Sequence, residues 1–144
     1  MDDLGPVLEE VTRAVWGTLL GFPLARVEGD PLPSWKEPPM VASVDIAGDW
    51  NGSVILACSP RLARRAALRM FGAQAVEPTA DDLQDVLGEL ANMTSGNLKS
   101  CLGAHCRLSL PKAGTPSQAP EAGGRRRSFE CEGEAVVVMV REAS

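Results

Sequence analysis

The chain has 144 residues, of which 44% are hydrophobic and 23% charged, and its formal net charge is -5. These are the proportions of one ordinary soluble globular domain, large enough to bury a core without disulfides or metals. The acidic balance disfavours a nucleic-acid binder, whose footprint is basic, and no apolar run approaches the roughly 20 residues of a membrane span.

The first predicted element is a helix over residues 3 to 20, "DLGPVLEEVTRAVWGTLL". Leu4, Val7, Leu8, Val11, Val15 and Leu19 recur at the three-to-four spacing of one apolar face. Pro6 is tolerated only in a first turn, which places the start near Asp3 or Gly5. Residues 21 to 39 hold five prolines and read as an irregular connection. The next segment, "MVASVDIAGDWNGSVILACSP", reads as a β-hairpin turning at "GDWNG". Ser59 and Pro60 then supply an N-cap and a first helical residue for "PRLARRAALRMF", which Gly72 stops. Leu62, Ala66 and Met70 form its buried side, while Arg61, Arg64, Arg65 and Arg69 share the opposite, solvated side.

Thr79 caps the longest predicted helix, with Asp82 completing a capping pattern. Its periodicity runs to about Leu102, and Gly103 ends it. Beyond it, "HCRLSLP" reads as a strand, residues 112 to 127 as a flexible loop closed by Arg125, Arg126 and Arg127, and "FECEGEAVVVMVRE" as two strands or one strand bent at Gly133. The order of elements predicts an α+β fold, an antiparallel sheet packed against helices, in a single domain spanning residues 1–144.

The opening "MDDLGPVLEE" is acidic where an export signal is positive, so a cytoplasmic location with reduced thiols is expected. Cys58, Cys101, Cys106 and Cys131 contain no C-x-x-C pair. Cys101, His105 and Cys106 lack regular zinc spacing, so no metal site is predicted and the cysteines read as small core hydrophobes.

The chemistry concentrates in the long helix, around "DVLGELANMTSGNLKS" (residues 85 to 100). On a helical wheel Leu83, Val86, Leu87, Leu90, Met93, Thr94 and Cys101 gather on the side that faces the sheet. Asp85, Glu89, Asn92, Gly96 and Lys99 gather opposite, within about 80° of one another. Gly88 and Gly96 each cost up to about 1 kcal/mol relative to alanine, which implies close packing within the chain or close approach of a foreign backbone. Gly96, on the polar side, leaves a shallow floor beside Asn92. Asn97 falls towards the apolar side and reads as a buried, hydrogen-bonded amide. Glu89 and Asn92 are three apart and project side by side. Such a carboxylate can anchor a partner's cation. The amide, donor and acceptor at once, can hold a water in line with a phosphorus atom.

"GELANMTSGNLKS" is similar to the helix signature of the CheC/CheX/FliY chemotaxis phosphatases, in its CheX branch, where Gly-Glu, Asn-Met and Gly-Asn-x-Lys-Ser recur. "IAGDWNGSVILAC", "ALRMFG" and "LSLP" fall in that family's order. The resemblance implies a CheC/CheX-like fold and removal of the phosphoryl group from the aspartate of a CheY-like response regulator. Glu89 would bind the regulator's active-site lysine and Asn92 would place the attacking water. Asp85 matches an acidic or serine position of the wider pattern and would make a rim contact; Gly88, Gly96 and Lys99 would complete the partner-binding face. The resemblance also implies that Mg²⁺ is held by the regulator, with no cofactor bound by this chain, and that the chain forms a homodimer through sheet edges. One signature helix predicts one site per chain. Two features depart from the family pattern: Thr94 stands where an aliphatic residue is usual, and "LPKAG" replaces a more apolar continuation after Leu-Pro. The alternative reading is a non-catalytic docking module for a receiver domain or a flagellar motor component. Neither reading involves nucleic acid or a membrane.

Overall fold

The computed structural model describes residues 4–28, 35–72, 77–103, 105–120 and 125–143. Helix α1, Gly5–Val15, buries Leu8, Val11 and Val15. It runs on into a π-helical turn, Trp16–Leu20, closed by left-handed Gly21. The wider turn rotates the register by about one residue. Leu20 is therefore buried with Trp16, and Leu19, expected on the apolar face, is left 36% exposed.

The proline-rich connection contributes the two-residue strand β1, Ala25–Arg26. Strands β2, Met40–Gly48, and β3, Gly52–Cys58, form the expected antiparallel hairpin, with Met40 opposite Cys58 and Ile46 opposite Gly52. Helix α2, Pro60–Phe71, starts as its cap predicts: Ser59 Oγ accepts from the Leu62 N–H at 3.1 Å. Helix α3, Ala80–Leu102, has a complete capping box. The Asp82 N–H donates to Thr79 Oγ1 at 3.1 Å, and the Thr79 N–H donates to the Asp82 carboxylate at 2.9 Å.

Four strands follow: β4, Cys106–Leu108; β5, Lys112–Gly114; β6, Arg125–Cys131; and β7, Glu134–Glu142. The sheet runs β1-β6-β7-β3-β2-β4, with β5 pairing alongside β4 on the outer edge of β2. The described pairings are all antiparallel, so the α+β expectation is met. Ala42, Val44, Ile46, Val54, Leu56, Val136, Val138, Val140 and Phe129 join the helices' buried residues in one core. Alternate positions Val41, Ile55 and Ala57 form a smaller cluster under Trp35 and Ala119 on the other face. Because both faces of the central strands are covered, Val136–Val140 reads as an unbroken apolar run rather than an alternating one.

The segment from 112 to 127, expected to be a loop, holds regular secondary structure where it is described. It contains β5, a 3₁₀ turn at Pro116–Gln118 and the start of β6; residues 121–124 lie outside the described residues. The three arginines belong to β6 rather than to a loop. Arg126 is fully buried, Arg125 pairs with Glu142, and Arg127 pairs with Glu9 of α1. Glu9 also meets Arg13 at 2.8 Å and Arg26 at 3.1 Å, so one carboxylate ties α1 to β1 and β6. Strands β6 and β7 are separate, joined by a two-residue turn in which Glu132 and Gly133 both adopt left-handed φ of 51° and 82°. This is the combination a tight hairpin favours.

Candidate functional site

Helix α3 lies across the sheet and packs on β2, with α1 and α2 as neighbours. Its inner side buries Val86, Leu87, Leu90, Ala91, Thr94 and Leu98. The two hydroxyl residues there satisfy themselves without distorting the sheet contact. Thr94 Oγ1 donates to the Leu90 carbonyl at 2.7 Å and Ser95 Oγ to the Ala91 carbonyl at 2.8 Å. That is how Thr94 occupies an apolar position: its hydroxyl is spent locally and its methyl packs. Cys101, expected on this inner side, is instead exposed at the last turn.

The outer side carries the predicted constellation as a row. Asp85 and Glu89 are exposed, and Asn92, Gly96 and Lys99 are half-buried. At 1.5 Å per residue the row from Asp85 to Lys99 is about 21 Å long. Among the described residues neither Glu89 nor Asn92 has a side-chain hydrogen bond or ion pair, so the carboxylate and the amide stand side by side with their polar atoms uncommitted. Lys99 sits at the far end, beside His105 and Arg107 on the margin of a shallow 230 Å³ depression.

Two of the helix-weakening residues serve different ends. A Cβ placed on Gly96 would meet nothing within 4 Å, so intramolecular packing gives no reason for a glycine there. Gly88 is buried, and a Cβ there would come within 3.2 Å of Pro111 Cβ. Its missing side chain thus makes room for the turn after β4, so packing within the chain already accounts for a glycine there, at the floor of the groove described next. Asn97 is corrected. Its amide is exposed rather than buried against the sheet.

Sequence reading missed the wall beside this row. The turn Ser109–Lys112 rises next to Gly88 and Glu89, and between them lies a groove of about 550 Å³. Lys112 on that wall is neutralised by an ion pair with Asp45. Among the described residues no three His, Cys, Asp or Glu side chains are arranged to hold a metal ion, and no helix is long and apolar enough to cross a membrane. What the row can do by itself is bind and orient. Among the described residues it holds no Ser, Cys or His beside Asn92 that could act as a nucleophile.

Residues 40–128 match the family model described as chemotaxis phosphatase CheX. No curated protein matches the chain in sequence. Among solved structures, chemotaxis protein CheX from Desulfovibrio desulfuricans is similar at 19% identity, with a TM-score of 0.75 over 97% of this chain and 99% of that one. CheX in a CheX-CheY-BeF3-Mg²⁺ complex from Borrelia burgdorferi is similar at 14% identity and a TM-score of 0.75, with both chains fully covered. The Vibrio vulnificus CheX protein has 16% identity and a TM-score of 0.73, covering 94% of this chain and 93% of that one. The match of fold is thus near complete, while sequence identity is low.

Proposed function

Since the chain belongs to the chemotaxis phosphatase CheX family, we propose that it hydrolyses the aspartyl phosphate of a CheY-like response regulator, using Glu89 to dock and Asn92 to orient water. The observation that carries this reading is the uncommitted Glu89–Asn92 pair on the outer side of a helix anchored by its cap and its buried face. The family match supports a phosphatase, and the Borrelia burgdorferi complex supports a CheY-like partner.

The chemistry asked of this chain is small. A receiver's acyl phosphate already carries a good leaving group, and Mg²⁺ and a lysine held by the receiver would neutralise the phosphoryl oxygens. Two things remain. Glu89, an exposed carboxylate, pairs with the receiver's lysine and fixes the angle at which the helix meets the receiver. Asn92 then reaches the phosphoryl group. Its carbonyl oxygen accepts a hydrogen bond from a water molecule, and its NH₂ group donates to an acceptor on the receiver side. The water is held with a lone pair directed at phosphorus, opposite the scissile P–O bond. Attack forms the new O–P bond as the bond to the aspartate oxygen breaks, releasing free carboxylate and inorganic phosphate. Catalysis is therefore positioning. A neutral amide suits it because it orients water without adding negative charge near the phosphoryl oxygens.

The test is phosphate release from a phosphorylated receiver in Mg²⁺. The wild type is expected to accelerate release. Asn92→Ala should cut the accelerated rate about 10²-fold or more, as loss of one preorganised polar group does, with binding retained. Glu89→Ala should raise KM by about tenfold or more. Binding with no acceleration by the wild type would overturn the catalytic reading in favour of a docking module.

A further inference from the structure

Leu110 is the most exposed large hydrophobic residue among those described, at 84%, against 49% for Phe71 and 36% for Leu19. Its backbone is nevertheless tightly held. The Ser109 N–H donates to the Asp45 carbonyl at 2.9 Å, and Ser109 Oγ accepts from the Asp45 N–H at 2.9 Å. Ser109 Oγ also donates to the carbonyl of Leu110 itself at 2.9 Å. On the other side Pro111 rests on Gly88, and Lys112 is pinned to Asp45. A turn tied down on both sides of its tip presents one apolar side chain to water, and it does so on the wall of the groove that Asp85 and Glu89 line from the helix side.

An exposed leucine costs solubility, and no packing among the described residues uses this one. Its position is continuous with the row of Asp85, Glu89 and Asn92, whose helix side offers polar groups and no large apolar side chain to the groove. Charged groups on an open face set orientation and association rate, and an apolar anchor entering a desolvated pocket supplies most of the affinity.

We propose that Leu110 is the apolar anchor of the receiver-docking surface, packing against the receiver while Glu89 pairs with the receiver's active-site lysine. This rests on the phosphatase reading of the same face. Gly88 is part of the device, because its missing side chain lets Pro111 bring the turn down beside Glu89. The division of labour is then fixed by geometry. The helix carries the groups that act on the phosphoryl centre, and the turn carries the contact that decides which receiver stays bound.

The experiment uses the full chain and a CheY-like receiver phosphorylated with acetyl phosphate in Mg²⁺, with phosphate release followed against receiver concentration. Leu110→Ser should raise KM about tenfold with kcat within twofold of the wild type, which corresponds to loss of one anchoring side chain. Leu110→Met should restore KM, because it keeps apolar volume. An unchanged KM in Leu110→Ser, in a preparation where Asn92→Ala abolishes acceleration, would overturn the anchor and leave the phosphatase reading intact. Indifference of the rate to Asn92→Ala and Glu89→Ala as well would overturn both.

Discussion

Replacing Gly96 by alanine separates the needs of the fold from those of the partner. The residue lies deep inside α3 with no positive φ, and an added Cβ would have open space for 4 Å. With no clash to set against it, the substitution should return most of the helix propensity that glycine forfeits, about 0.5–1 kcal/mol. For a chain of this length that is a rise in Tm of about 2–4 °C, readable by calorimetry or circular dichroism. The same methyl stands one helical turn from Asn92, on the face proposed to meet the receiver. Affinity for a phosphorylated receiver should therefore fall as stability rises. A variant that is stabilised yet binds and hydrolyses normally would refute the idea that Gly96 is kept small for the partner. A destabilised variant would refute the packing argument itself.

Thr79→Ala should cost about 1 kcal/mol in denaturant unfolding, because it removes the side-chain half of the α3 capping box. Among the cysteines, exposed Cys101 should react with a thiol reagent in the native protein, whereas buried Cys58, Cys106 and Cys131 should wait for unfolding. Burial pushes the Cys58 thiol from 9.0 up to about 12. The unfolded chain therefore loses this proton first, and stability should decline as pH climbs from about 9 towards 12, by at most about 1.4 kcal/mol per pH unit. A Cys58→Ala variant should show a shallower alkaline loss in the same titration.

The elements with local chemistry were legible in the sequence. Ser59-Pro60, the Thr79–Asp82 box and Gly103 mark helix ends through hydrogen bonds made within a few residues, and the structure places those ends there. The polar row of α3 was legible because a helical wheel needs only periodicity. What escaped depended on contacts distant in sequence. The packing reason for Gly88 was hidden because Pro111, which covers it, lies 23 positions later. Arg125–Arg127 looked like loop charges because Glu9 and Glu142, which receive two of them, lie on other elements. Asn97 and Cys101 were misplaced near the C-terminal end of the helix, where small errors in an assumed 100° step accumulate and neighbouring strands no longer cover it. The π-helical turn at Trp16 left no periodic trace beyond the choice of Leu20 over Leu19.

The outer rim of β2 is closed in an unusual way. Two strands of three residues each, β4 and β5, share it, and the Ser109–Asp45 bonds fill the gap between them. A long bare rim invites any extended chain to add itself, which is the first step of fibril growth. Here an intruding strand would meet only two three-residue edges, interrupted between them by the Ser109 bonds, which are too short to template a long ladder. The same stitching that aims a leucine outward therefore also guards the sheet against unwanted company at high concentration.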